Sequence, residues 1–219
     1  MELNKLLKQG SVGLGVSLDD QAIDNLLAYK DFMMEYNQKV NLTAITVDEE
    51  FVVKHLLDCI TIVPLISHVA RVIDVGTGAG LPGIVLKIVR PDLNMTLLDA
   101  RAKKLKFLDE AIDRLGLENA RTIHGRAEDI CKQKGFGASF DFVVSRAVAS
   151  MDTLCGWCLP FVKRGGKFIA MKGPNYKDEL DSAAPVVKKM NGKIENITEL
   201  MLPNTDIARS IIIISKKSP

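Results

Sequence analysis

Hydrophobic positions along this chain change their period once, near residue 70. Before that point they recur at helical spacing. Leu26, Tyr29, Met33, Tyr36 and Val40 form one apolar stripe; Val52, Leu56, Cys59, Ile60 and Val63 form a second that stops at Pro64. Ser17 with Asp20, and Thr46 with Glu49, have the spacing of capping boxes and predict the two helix starts. The stretch 41–45, Asn-Leu-Thr-Ala-Ile, reads as the loop between them. From Arg71 onward, short β-branched runs alternate with helix-like segments. Strands are predicted at 72–75, 95–98, 120–124, 140–145, 167–171, 194–202 and 210–215. Helices are predicted at 82–89, 102–115, 127–134, 151–162 and 176–190. Repeated strand–helix units imply a parallel sheet covered on both faces. Only a short loop, 203–208, joins the last two strands, which are therefore expected to pair antiparallel. No linker interrupts the pattern. One domain, 1–219, is expected, with an N-terminal helical cap over 1–70 and a core over 71–219.

Composition narrows the class. The chain has 219 residues, of which 47% are hydrophobic, enough for one packed core without disulfides. The formal net charge of +2 is too mild to identify a nucleic-acid binder; only a local patch would do so. The first ten residues do not read as a signal peptide, and no apolar run reaches the ~20 residues that span a bilayer. A soluble cytoplasmic protein is the expectation. Of the four cysteines, Cys155 and Cys158 form a C-x-x-C inside an apolar helix-like segment, which reads as buried thiols and not as a redox pair. The three histidines are scattered, and no metal site is predicted.

Candidate chemistry starts at 71–83, Arg-Val-Ile-Asp-Val-Gly-Thr-Gly-Ala-Gly-Leu-Pro-Gly, a strand that breaks into a glycine-dense turn before a helix. That order brings backbone N–H groups up to a nucleotide-like ligand. Glycine takes positive φ without strain and lets a ligand approach closely. Two cofactor registers compete. Residues 78–83 fit the dinucleotide pattern G-x-G-x-x-G. Residues 74–80 resemble the first motif of class I methyltransferases that use S-adenosylmethionine (SAM). Asp74 favours the second register, because a carboxylate there would repel a pyrophosphate but could receive the ammonium of a methionine moiety.

Asp99 ends the second strand, 23 residues after Gly76, where an acidic side chain can accept both ribose hydroxyls. Its plainer alternative is a helix N-cap. Gly125-Arg126-Ala127-Glu128 follows the third strand; Ala127 and Glu128 are placed to meet an adenine ring, or else Glu128 simply favours a helix start. Ser145-Arg146-Ala147 ends the fourth strand. Arg146 is the candidate for positioning the cofactor, a phosphate or the base, with a structural ion pair as the alternative. No Asn-Pro-Pro-Tyr, Pro-Cys nucleophile or G-x-S-x-G occurs. A site poor in bases and nucleophiles suits an acceptor whose lone pair is already free, such as guanine N7. Arg101, Lys103, Lys104 and Lys106 crowd a helix start, where cations oppose the helix dipole unless an anion such as RNA lies nearby. Lys172, Arg209 and Lys216 are weaker candidates of the same kind. His55 and Asp58, three apart on one helix face, are expected as a buried hydrogen-bonded pair, with a place on the substrate side as the alternative.

Together these motifs resemble one family, the bacterial small-subunit ribosomal RNA guanine-N7 methyltransferases (glucose-inhibited division protein B). The carriers run in order through the chain: 41–45, 55–58, 74–83, Leu98-Asp99 with Lys103-Lys104, 125–128, 145–147 and Lys172-Gly173. The resemblance implies a class I, Rossmann-like α/β fold and SAM-dependent N7 methylation of a guanine in the 530 loop of 16S rRNA. It implies SAM contacts at Gly76, Leu81, Ala127, Glu128 and Arg146, beside Gly78 and Asp99. Arg101, Lys103, Lys104, Lys172 and Arg209 are then the RNA-facing candidates. The expected partner is 16S rRNA on the small ribosomal subunit, with no membrane or DNA partner and a monomeric chain. Two departures stand out: Ala100-Arg101-Ala102 replaces the family's Ser-Leu-Gly, and Cys59 replaces its Ser. A small-molecule SAM methyltransferase, or a nicotinamide-dependent oxidoreductase using 78–83, are the alternatives; the cofactor bound in calorimetry separates the last from the rest.

Overall fold

The structure, a computed structural model, describes residues 2–146 and 149–217. Two helices open it, α1 (Leu3–Gly13) and α2 (Asp20–Asn37). Asp19, not the Ser17–Asp20 box, caps α2: its carboxylate accepts from the Ala22 N–H at 2.7 Å. Helix α3 (Asp48–Phe51) runs through a π-helical stretch, Val52–Leu57, into α4 (Asp58–Ile60) as one continuous coil. Within it the Asp58 N–H reaches back to the carbonyl of Val53. The N-cap of α3 is Val47, so the expected Thr46–Glu49 box is not what starts this helix; acidic residues Asp48, Glu49 and Glu50 in its first turn suit the dipole instead.

The remainder alternates as the period change predicts. Strands β1 (Arg71–Val75), β2 (Asn94–Asp99), β3 (Ala120–His124), β4 (Phe140–Arg146) and β5 (Val162–Lys172) are parallel neighbours. Helices α5 (Gly83–Val89), α6 (Ala102–Arg114), α7 (Ala127–Ile130) and α8 (Met151–Cys158) connect them. Helix α9 (Lys177–Lys189) leads to β6 (Gly192–Met201) and β7 (Ala208–Lys216), which pair antiparallel with each other, β7 also with β5. The seven strands lie in the order β3-β2-β1-β4-β5-β7-β6. This is the class I SAM methyltransferase architecture. Two helices are shorter than their apolar runs suggest. Helix α7 stops at Ile130, where the chain enters a turn, and α8 stops at Cys158, ahead of Val162, which pairs in β5 beside Phe140.

Side chains alternate across each strand, and so split the core into two layers. Val72, Leu97, Phe142 and Val144 face α1, α2, α5 and α6; Ile73, Val75, Leu98 and Val143 face α7, α8 and α9. The N-terminal helices thus share the first layer. Tyr29, Phe32 and Tyr36 of α2 gather on Phe107 of α6, with ring centroids 5.1 to 6.2 Å away. Such pairs contribute about 0.5–1.5 kcal/mol each beyond area burial. The strand order reverses between β1 and β4, which opens a crevice at the carboxyl ends of the strands. Gly76, Asp99, Arg146 and Lys172 all stand at that edge.

Candidate functional site

The crevice holds a cavity of about 490 Å³, the size of a nucleoside-type ligand. Its floor is the turn after β1. Gly76 and Gly78 have φ of +72° and +60°, conformations that a side chain at either position would strain. The turn is held in shape before any ligand arrives. The N–H groups of Gly76 and Thr77 donate to the Leu98 carbonyl at 2.9 and 3.0 Å. From beneath, the buried Tyr29 hydroxyl donates to the Ala79 carbonyl. Gly80 is at φ +82°, and a Cβ there would stand 2.7 Å from the Tyr29 hydroxyl oxygen.

Asp99 lines this cavity and is nearly buried. Its two oxygens accept from the N–H of Gly78, at 2.9 Å, and of Arg101, at 2.8 Å. The carboxylate therefore clamps the glycine turn to the start of α6, whose N-cap position is Arg101 rather than Asp99. Each oxygen retains a lone pair. Leu81, Leu98 and Ala127 supply apolar walls, Glu128 an exposed rim, and Lys104 approaches Gly78. The cofactor candidates Gly76, Gly78, Leu81, Asp99, Ala127, Glu128 and Arg146 all line this one cavity. A carboxylate with lone pairs to spare, a glycine turn without side chains and apolar walls fit an adenosine-type cofactor.

Asp74 does not line it. The strand alternation that sends Val72 towards α5 sends Asp74 the same way, and the side chain is fully buried. One oxygen accepts from the Thr77 hydroxyl at 2.7 Å and the Gly83 N–H at 2.8 Å; among the described residues the other has no partner. Burial pushes this carboxyl up to about 6. The expectation that Asp74 receives a methionine ammonium is therefore corrected: it braces the turn from inside. Gly83 lies on that same inner side, where a Cβ would meet Asp74 at 2.9 Å, so its role is close helix packing.

Arg146 ends β4; Ala147, the next residue of that motif, lies outside the described residues. The guanidinium donates to Asp58 Oδ2 at 2.9 Å, the Lys54 carbonyl at 3.1 Å and His55 Nδ1 at 3.3 Å. His55 Nδ1 also lies 3.1 Å from the Lys54 carbonyl, and Nε2 lies 2.8 Å from Thr43 Oγ1, so the ring is held from both sides. Burial first, and the Arg146 charge second, lower the His55 pKa to about 4, so the ring is neutral at physiological pH. His55 and Asp58 do not bond to each other as expected; both serve Arg146. Asp58 Oδ1 also accepts from Arg209 Nε at 2.9 Å. One buried carboxylate thus holds two arginines from distant strands.

A second cavity, about 660 Å³, shares His55 and Arg146 with the first. Lys54, Asp58, Lys172, Glu179 and Arg209 line it. Of the RNA-facing candidates, Lys172 and Arg209 stand here, Arg101 and Lys104 at the first cavity, and Lys103 on the exposed start of α6. Lys216 does not join them: it donates to the Leu159 carbonyl and is a structural group. Cys155 and Cys158 are buried on α8, and burial pushes Cys155 up to about 12, so neither behaves as a redox thiol. Among the described residues no metal-binding cluster of His, Cys, Asp and Glu occurs, and no helix is long and apolar enough to cross a membrane.

Three contributors escaped the sequence reading. Leu42 and Ile45, in the loop before α3, reach one cavity each, and Trp157 lines the first from α8. The loop is shaped by Asn37, whose Oδ1 accepts from the N–H groups of Leu42 and Thr43. Clustered polar contacts from a single helix-terminal Asn carry no periodic signal, which is why only the loop's position was legible.

Comparison with known proteins bears on this arrangement. Residues 22–208 match the family model described as GidB, rRNA small subunit methyltransferase G. A protein named ribosomal RNA small subunit methyltransferase G from Acetivibrio thermocellus is 49% identical, over 99% of this chain and 89% of its own length. One of the same name from Alkaliphilus metalliredigens is 44% identical, over 99% and 91%. Among solved structures, TrmN from Thermus thermophilus superposes with a TM-score of 0.58 at 14% identity, over 75% of this chain and 53% of its own. M. jannaschii TYW2, solved in complex with AdoMet, gives 0.55 at 15% identity, over 69% and 70%. At such identities these structures speak for the fold alone.

Proposed function

The chain belongs to the rRNA small subunit methyltransferase G family, and from that premise we propose that it transfers a methyl group from SAM to N7 of a guanine in the 530 loop of 16S rRNA. The observation that carries the reading is the pair of cavities joined at His55 and Arg146, one walled by the glycine turn and Asp99, the other by Lys54, Lys172 and Arg209 with the carboxylates Asp58 and Glu179. Gly76, Gly78, Leu81, Asp99, Ala127 and Glu128 would hold the cofactor, which when bound would supply an electrophilic methyl on a sulfonium. The acceptor's lone pair forms the new N–C bond as the S–C bond breaks. Positive charge passes from sulfur to the base, and no proton leaves. A general base is therefore not needed, and neutral His55 is not asked to be one.

What the chain contributes is position. Bringing acceptor and methyl donor together in line removes translational and rotational entropy from the barrier. Arg146 stands between the cavities to do this, with its guanidinium fixed by three acceptors. Asp58 matters electrostatically as well. The methylated base is cationic, and two bare guanidinium groups would oppose it; the carboxylate between them offsets that charge. Arg101, Lys103, Lys104 and Arg209 attract the phosphates, and Lys172 faces the RNA from the wall of the second cavity. One chain supplies both cavities, in keeping with the expectation of a monomer acting on the small subunit in the cytoplasm.

The test is methyl transfer from labelled SAM to small subunits lacking the modification, mapped by N7-specific strand cleavage. Label appearing with cleavage in the 530 loop is the expected result. Label without that cleavage, or SAM failing to bind in calorimetry, overturns it.

A further inference from the structure

The second cavity contains a matched donor and acceptor that the methyl transfer itself does not use. Lys172, at the end of β5, lies 2.6 Å from Glu179 Oε2 in the first turn of α9. The Lys172 ammonium also donates to the Ala149 carbonyl at 2.9 Å, which leaves one of its three N–H groups uncommitted. Glu179 Oε2 accepts in addition from the Met151 N–H at 3.0 Å, and among the described residues nothing donates to Oε1. Both residues line the cavity, Lys172 largely buried and Glu179 about one-third exposed. The cavity wall therefore offers a cationic donor and an anionic acceptor side by side, each anchored to the α8 end by a backbone bond.

We propose that Lys172 and Glu179 read the Watson–Crick edge of the target base, and so select guanine; this rests on the methyltransferase reading above. Guanine presents an acceptor, O6, followed by two donors, N1–H and the N2 amine, along that edge. The uncommitted Lys172 N–H opposite O6, and Glu179 Oε1 with its two lone pairs opposite N1–H and N2–H₂, satisfy all of them. Adenine presents the reverse, an amine donor and then an acceptor nitrogen, so both protein groups would face a like partner. N7 is on another edge of the purine. Recognition through the Watson–Crick edge thus leaves the reacting lone pair free, whereas an arginine donating to N7 would occupy it. Sites that hydrogen-bond a substrate group reject analogues lacking it strongly, because their own buried polar groups are left unpaired.

Inosine, which is guanosine without the N2 amine, isolates the carboxylate's share. Small subunits reconstituted with 16S rRNA carrying either guanosine or inosine at the target position are methylated with labelled SAM by the full-length protein and by Glu179→Gln. The amide retains an acceptor for the Met151 N–H, so α8 keeps its anchor, and a thermal melt checks the fold. The wild type is expected to prefer guanosine over inosine by about tenfold or more in kcat/KM. Glu179→Gln is expected to lower the guanosine rate and to bring the ratio close to one. A merely structural role for Glu179 would lower both rates and keep the ratio. A wild type that does not discriminate, or a variant that keeps the wild-type ratio, overturns the proposal. A wild type that labels neither RNA overturns the methyltransferase reading itself, and the proposal with it.

Discussion

Asp58 is the position where a single atom change is expected to cost most. Its carboxylate is 3% exposed and bonds two guanidinium groups, each at 2.9 Å, whose own side chains are 14% and 25% exposed. Replacing Asp58 with Asn keeps the shape, but turns one acceptor oxygen into an N–H₂ that faces a cation. One arginine then loses its partner. Removing one member of a buried ion pair costs about 3–5 kcal/mol; because Arg209 is a quarter exposed, water recovers part of this and the low end, about 3 kcal/mol, applies. For a chain of this length that is a fall in Tm of about 6–12 °C. Urea unfolding of wild type, Asp58→Asn, Arg209→Gln and the double variant measures the coupling directly. We expect about 1–3 kcal/mol between the two positions. Methyl transfer should fall along with stability in Asp58→Asn, since Arg146 loses its bearing. A coupling no larger than about 0.3 kcal/mol would refute the idea that one carboxylate holds both arginines.

Other outcomes follow from the same contacts. Between about pH 4 and pH 6, folded Asp74 holds a proton that the unfolded chain has lost, so its contribution falls as pH rises. Over nearly the same window the unfolded chain protonates His55 and the folded one does not, so that contribution rises. The two slopes oppose each other: in denaturation series across this window, Asp74→Asn should leave stability climbing with pH and His55→Gln should leave it declining. Gly80→Ala forces a side chain into φ +82° and against Tyr29, Ile84 and Leu108, at about 2–5 kcal/mol in urea unfolding, whereas Gly156→Ala, with open space around it, should be neutral or slightly stabilising. Lys103→Glu should weaken RNA binding and reduce the salt dependence of log K by about one, with SAM affinity in calorimetry unchanged.

How much of this was readable from residues alone differs between sheet and site. The parallel core was legible because period-two runs and glycine turns are local signals, and Asp99 was legible because it ends a strand at a fixed distance from the glycine turn. Asp74 was misread for a reason contained in the same rule. It stands one residue before the end of β1, opposite Leu97 and so two positions short of Asp99 in register, where its side chain is still covered by the first core layer and does not reach the crevice. Arg146 and Arg209 were visible as single cations. Their common partner was not, because Asp58 lies 88 and 151 residues away from them in the chain and no spacing encodes that contact. The helix starts failed more simply. Asp19 competes with Ser17 for one cap, and side-chain geometry decided it.

The π-helical stretch at Val52–Leu57 has a consequence for descent. An α-helix turns 100° per residue, and a widened turn accommodates one residue more than an α-helical turn would. Deleting any one residue of that stretch would therefore leave a longer, more regular helix that still buries a greasy side against the sheet. It would also rotate Asp58 away from Arg146 and Arg209 relative to Phe51. Such a lineage would inherit a sound protein without a working centre. The irregular turn thus sets the rotational phase at which Asp58 meets both arginines, a requirement that helix stability alone would not impose.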